Sequence, residues 1–374
     1  EVNGTAVQNY AGTYPGAVDG ELWYNSTATT FQFQYGATGG VWSTGGNLNI
    51  TKGFAAGFGT QTAALSTGGD PGGVNTELYN GSNWTEVNNA NTARYGLAGV
   101  GTQTAGLIFG GKPGSKNETE LWNGTNWTEV NNLNTGRAYL AGLGISTAAL
   151  GVGGDAPVTG KTAITELWNG TNWTEVADLN TARKDPAASG TTTAGLVFGG
   201  KDPSTVVLAN TESWNGSAWT EVNDMNTARQ SAAGAGTQTS ALSFGGINDV
   251  PALTAETEKW NGTNWTEVNN MNTARKNMGN AGASNTAALA FGGSSDPPNF
   301  QALTETWNGT NWTEVGDLNT GRYRLAGCGT NTAALAIGGD TPGSSALTES
   351  WNGSAWTEVG DLNTARKEFS GNGI

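Results

Sequence analysis

The sequence predicts an all-β fold, a β-propeller of four-stranded blades. Three observations carry that reading: a long fixed tryptophan period, four strand-length segments inside each period, and a composition made for turns. Trp42, Trp84, Trp127, Trp173, Trp219, Trp265, Trp312 and Trp356 follow one another at 42, 43, 46, 46, 46, 47 and 44 residues. A second register holds Trp23, Trp122, Trp168, Trp214, Trp260, Trp307 and Trp351, with Tyr79 in the vacant slot. Periods of about 40 to 50 residues belong to propeller blades. The 59 glycines, the abundant Asn and Thr, and only 13 % charged residues suit short strands joined by tight turns. They give no amphipathic helical pattern.

Each unit reads R-x-x-x-A-G-x-G-T-Q-T-A-A-L-x-F-G-G, a variable stretch, then T-E-L-W-N-G-T-N-W-T-E-V-N-N-L-N-T-A-R. Four strands fit, a to d in chain order. Strand a follows the Arg, as in Tyr95 to Val100. Strand b is the apolar run into Gly-Gly, as in Ala105 to Gly111. Strand c is Thr119 to Trp122 and strand d is Trp127 to Val130. The c–d link is Asn-Gly, a hairpin signal because both residues tolerate positive φ. The strand-c Glu (Glu77, Glu120, Glu166, Glu212, Glu258, Glu305, Glu349) always precedes the strand-d Trp by seven residues. That Trp always precedes the next Arg (Arg94, Arg137, Arg183, Arg229, Arg275, Arg322, Arg366) by ten. Arg to the second Gly of Gly-Gly is 17 residues, except 18 in the blade ending at Gly293. Only the b–c stretch varies freely, from 8 to 12 residues between Gly and Glu. Length varies at surface loops, not inside packed strands.

Strand bookkeeping predicts eight blades. Lys52 takes the Arg slot ten residues after Trp42, and Arg366 opens one more strand a, Lys367 to Gly373. Joined to a b-like stretch at Gly4 to Gly12 and a c–d pair from Glu21 to Trp42, that strand makes a composite closing blade. Closure removes open sheet edges. On this reading residues 1–374 form one propeller domain. The alternative is seven blades, with residues 1–46 as an attachment hairpin. The 21 residues from Glu21 to Trp42, in place of seven, keep it open.

Bulk properties exclude several functions. The net charge of −14 repels phosphate backbones and anionic lipid. No apolar run approaches the ~20 residues that span a bilayer, and no basic-apolar leader opens the chain. We therefore expect neither nucleic-acid binding nor membrane insertion. The chain begins at Glu1 and reads as processed or as a piece of something longer. There is no His and a single Cys. Ser-His-Asp triads, Cys-His dyads and His-bearing zinc sites are therefore impossible. Cys328 sits where other units carry Val100, Leu143 or Ala235 and reads as a small core residue. No metal or organic cofactor is expected.

Repetition argues against most conspicuous residues as sites. Every Trp holds a repeat register, so packing explains it better than a sugar platform. Glu and Arg recur once per unit, so a structural ion pair explains them better than catalysis. Asp70, Asp155, Asp202, Asp249, Asp296 and Asp340 follow Gly-Gly one per unit and read as turn formers, not a calcium cluster. The N-x-S/T sequons, such as Asn123 and Asn126, fall in the Asn-Gly turns, which already explain them.

The Gly-Gly after strand b, the aromatic in strand c, the Trp in strand d and the following Arg resemble kelch repeats over residues 42–374. That resemblance implies propeller blades with strand a innermost. The wording G-T-Q-T-A-A-L-x-F-G-G and W-N-G-T-N-W-T-E-V-N-x-L-N-T-A-R is similar to repeat proteins of marine bacteriophages. The segment Pro15 to Thr27, P-G-A-V-D-G-E-L-W-Y-N-S-T, resembles one found in phage tail-fibre and virion proteins.

Alternating strand direction places the d–a and b–c connections on one face and the a–b and c–d turns on the other. The first face carries the irregular residues: Tyr95, Tyr139, Lys184, Asp185, Gln230, Lys276, Asn277, Tyr323, Arg324, Lys367 and Glu368. Chemical variety on one face of a uniform ring reads as a recognition surface. The expected function is a non-enzymatic virion protein at the particle surface, used for host-surface recognition. Its expected partners are other virion proteins and a host cell-surface glycan or protein. The alternatives are a ligand-free structural decoration of the virion and a glycan-acting enzyme.

Overall fold

The computed structural model describes residues 55–362 apart from 70–72, 158–159, 249–251, 296–298 and 342. It adds the backbone of Gln8–Tyr10, Leu22–Asn25, Thr30–Phe33, Lys52–Gly53, Arg366–Lys367 and Ser370–Asn372, and only the backbone of Ala283 and Ser344. Two compact units result, Glu1–Thr44 and Gly45–Ile374. In the first, Gln8–Tyr10 pairs parallel to Leu22–Asn25, which pairs antiparallel to Thr30–Phe33.

The second unit is a ring of seven four-stranded blades, each running a-b-c-d from axis to rim. The inner strands are Ala56–Thr60, Ala98–Thr102, Ala141–Ile145, Ala187–Gly190, Ala233–Thr237, Gly279–Ser284 and Ala326–Gly329, defining blades 1 to 7. Blade 2 continues with Ala105–Phe109, Thr119–Trp122 and Trp127–Val130. Strands c and d fall where the repeat puts them. Strand a begins three residues later than expected, because Tyr95 bridges to Lys112 and Gly96 turns left-handed at φ 59°. Strand b stops at Phe109 because Gly110 and Gly111 take φ of 70° and 117°, which a side chain rarely adopts.

The tryptophans build the blade interfaces. All thirteen described ones are buried, at 6 % exposure or less. Trp122 lies opposite Trp127 across the c–d hairpin, ring centroids 5.3 Å apart, and Phe109 reaches Trp173 of the next blade at 4.8 Å. Burying an aromatic of this size removes about 150–250 Å² from water, on the order of 4–6 kcal/mol. Each strand-d indole donates to the strand-c Thr of the preceding blade, as in Trp127 Nε1 to Thr76 Oγ1 at 2.8 Å and Trp219 Nε1 to Thr165 Oγ1 at 3.0 Å.

The Arg and Glu registers meet as a buried lock. Glu212 accepts from the Asn180 amide at 2.6 Å, Asn180 Nδ2 at 2.9 Å, the Thr181 amide at 3.2 Å and Arg183 Nη2 at 2.7 Å. The same Nη2–carboxylate contact recurs in blades 2 to 7, with both side chains at 1 % exposure or less. Burial pulls Arg94, Arg137, Arg183, Arg275 and Arg322 down from their ordinary value, while the paired carboxylate pushes back. The N-T-A-R segment after one blade is thus clamped onto strand c of the next.

The eight-blade count is corrected to the seven of the alternative reading. Blade 7 packs directly against blade 1: Trp84 Nε1 donates to Thr348 Oγ1 at 3.0 Å, and Gln61 Nε2 donates to the Trp351 carbonyl at 3.0 Å. Ala64, Tyr79 and Trp84 share one apolar cluster with Cys328, Leu335 and Leu362. The Trp84–Thr348 bond is the indole–threonine bond that every other interface makes, so no gap is left for an eighth blade. Gln8–Tyr10, from the b-like stretch, pairs within the first unit's sheet. Trp42 lies outside the described residues. The C-terminal strand forms no blade of its own but adds to blade 1, with Ser370–Asn372 parallel to Ala56–Phe58.

Candidate functional site

One face of the ring opens into a cavity of about 640 Å³ on the axis, within the range of small-molecule sites. Its rim is set by the position two residues after each buried Arg: Gly96, Tyr139, Asp185, Ser231, Asn277 and Arg324 in blades 2 to 7. All six are left-handed, with φ between 51° and 59°. A left-handed residue other than Gly costs roughly 1–2 kcal/mol, least for Asn and Asp, and such strain gathers at functional sites. The strain is held by hydrogen bonds running around the rim. The Tyr139 amide donates to the Gly96 carbonyl at 2.9 Å, the Asp185 amide to Tyr139 at 3.2 Å, and the Arg324 amide to Asn277 at 2.6 Å.

One residue further along each strand a, Leu97, Leu140, Pro186, Ala232, Met278 and Leu325 form an apolar layer below the rim. The cavity is therefore a polar collar over an apolar throat. Tyr139 lies across blade 2, where a Cβ on Gly96 would meet its ring at 2.8 Å; a larger residue at 96 would displace it. Lys184 Nζ stands 5.4 Å from the centre of the Tyr139 ring, and the Arg324 guanidinium 4.8 Å from that of Tyr323. Both are cation–π distances. Tyr323 stacks on Phe300 at 5.4 Å. Burial and a hydrogen bond to Asp340 push its hydroxyl above the usual tyrosine value. The Asp185 carboxyl is pushed above the ordinary aspartate value by the protein around it, against the pull of Lys184. Asp185 is nonetheless exposed at the open mouth, and water there limits the shift.

Of the residues expected on this face, Tyr139, Lys184, Asp185, Asn277 and Arg324 line the cavity. Tyr95, Gln230, Lys276 and Tyr323 stand one residue earlier and pair instead with the starts of the b–c loops, at Lys112, Ile247, Ser294 and Asp340. Lys367 pairs through its backbone with Gly53. Glu368 lies outside the described residues. Sequence reasoning missed Ser231, Gly96 and the apolar throat; a fixed offset of two and three residues from the Arg marks them all. On the opposite face the uniform turns meet: a Cβ on Gly124 would lie 3.3 Å from the Thr104 carbonyl. Asp202 serves its turn, accepting the Val206 amide at 2.7 Å. Among the described residues no three Asp, Glu or Cys side chains form a metal-sized group, and Asp185 is the only carboxylate among the described lining residues.

Fold and cavity together define a seven-bladed β-propeller with an axial pocket. No protein-family model and no curated protein sequence matches the chain. The solved structure of YjhT is similar in fold, with a TM-score of 0.57 and 12 % identity, covering 71 % of this chain and 97 % of YjhT.

Proposed function

We propose that this ring is a non-enzymatic recognition module whose ligand enters the collar of Tyr139, Lys184, Asp185, Ser231, Asn277 and Arg324. A single observation carries the reading. Scaffold positions scarcely change from blade to blade, whereas the strained position facing the cavity differs in all six described blades. An aromatic ring, two cations, a carboxylate, an amide and a hydroxyl over an apolar throat suit a polar, ring-bearing ligand such as a cell-surface glycan. One carboxylate among the described lining residues, in a chain without His, favours binding over hydrolysis, which pairs two carboxylates. The similarity of the repeat's wording to phage virion and tail-fibre sequences supports our reading of this module as part of a virion surface. Its targets are then host cells and its neighbours other virion proteins.

Labelled protein applied to glycan arrays and bacterial cells tests the proposal. Tyr139→Ala and Arg324→Ala each weaken binding about 30-fold, as loss of an anchor worth about 2 kcal/mol requires. Thr125→Ala and Thr263→Ala on the opposite turns leave it unchanged. Binding that survives the first pair, or fails only with the second, overturns the assignment.

A further inference from the structure

Strand a of every blade bonds to strand b on one side only, so its other edge faces the axis. In blades 2 to 7 no described strand pairs with that edge. Such edges present unpaired N–H and C=O groups and act as templates for another strand. Blade 1 differs. Its edge carries a fifth strand, with Ser370 opposite Ala56, Gly371 opposite Gly57 and Asn372 opposite Phe58, all parallel. Just upstream, Arg366–Lys367 pairs parallel with Lys52–Gly53.

Ring closure does not depend on this strand. The Trp84–Thr348 and Gln61–Trp351 bonds and the shared apolar cluster already join blade 7 to blade 1. The strand is also weakly held. It spans three residues, parallel pairing is the less stable kind, and each backbone bond contributes little net stability.

We propose that the axial edge of Ala56–Thr60 is a strand-acceptor site, and that its partner is an extended peptide segment of another chain, which replaces Ser370–Asn372 by strand addition. Backbone bonds supply the affinity in this mode. The chemistry of the partner follows from the channel. Beyond the collar, a second cavity of about 690 Å³ is lined by Gly, Ala, Val, Leu, Ile, Ser, Thr, Gln238 and Asn280, with no charged side chain among the described lining residues. The incoming strand therefore carries small, uncharged side chains, as Ser-Gly-Asn does, and no proline where its amides must donate. This site is independent of the collar and stands whether or not the collar binds a glycan.

The probe is a fluorescent synthetic peptide of the sequence Lys367 to Ile374, followed by anisotropy. It is titrated against the unaltered chain, a chain with Gly371→Pro and Asn372→Pro, and a chain ending at Lys367. Successive strand amides point to opposite sides, so one of the two prolines removes a donor facing blade 1. Both altered chains should bind the peptide at least about tenfold more tightly than the unaltered one, whose own strand competes at high effective concentration. A peptide carrying the same two prolines should not bind. No binding to altered chains that keep their melting temperature, or equal binding of the proline peptide, overturns the proposal. If the altered chains fail to fold, hydrogen exchange on the unaltered chain decides. Excess peptide should slow exchange at Ala56–Phe58 and the proline peptide should not; unchanged exchange overturns the proposal.

Discussion

Glu212→Gln is the sharpest perturbation of the interblade lock. The wild-type carboxylate receives four donors, two from Asn180, one from Thr181 and one from Arg183, and both charges are fully buried. The amide keeps one acceptor oxygen but turns an NH₂ group toward donors, and Arg183 loses its counter-charge. Removing one member of a buried pair costs about 3–5 kcal/mol. Unfolding entropy near 2.1 cal/mol/K per residue gives about 0.7 kcal/mol/K for the 330 residues of Gly45–Ile374. The melting temperature should therefore fall by about 4–7 °C, read by calorimetry. Adding Arg183→Met removes the orphaned charge, so the double variant should melt well above the sum of the two single losses. A fall below about 1 °C, or strict additivity, would show that the pair does not act as a lock.

Two further outcomes follow from the seam and the collar. Thr348→Val strips the acceptor from Trp84 at the seam, as Thr165→Val does for Trp219 inside the ring. Each should cost about 1–3 kcal/mol in chemical denaturation, the penalty of an unsatisfied buried donor, and a seam variant without effect would mean an open ring. The Asp185 carboxyl is pushed above the ordinary aspartate value by the protein around it, by an amount that its exposure at the mouth keeps small, so folding takes up a proton between the ordinary value and the raised one. Stability then falls as pH rises through that window, and the carboxylate is a cost at neutral pH. Asp185→Asn should melt higher than wild type at pH 7, with the gain vanishing below the ordinary aspartate range; a lower melting point at pH 7 would contradict this.

Within a blade the sequence is close to explicit. The Trp–Trp pair, the Asn-Gly hairpin and the Glu seven residues before Trp fix strands c and d, because each recurs unchanged and packs unchanged. The 18-residue spacing before Gly293 has a structural counterpart, a β-bulge between Ala281 and Ser284 that absorbs the extra residue. Blade number was not legible. The contact of Trp84 with Thr348 is chemically the same as that of Trp219 with Thr165, so counting strand-a stretches cannot tell a seam from an interior interface. The rim was half legible. Irregularity after the Arg pointed to the right face, but Tyr139 and Arg324 carry no local mark of a left-handed backbone. Their conformation comes from hydrogen bonds to the preceding blade, a tertiary demand invisible in one unit.

On the proposed function, the collar varies because it recognises a ligand, while its backbone is shared by blades 2 to 7. Replacing Tyr139, Asp185, Ser231, Asn277 and Arg324 together by Gly makes the rim uniform with Gly96 and relieves the left-handed strain. The measurement is cell or glycan binding of this variant beside its melting temperature. Binding should fall to background while the melting temperature holds or rises. Binding at wild-type strength on a uniform collar would contradict the proposed function.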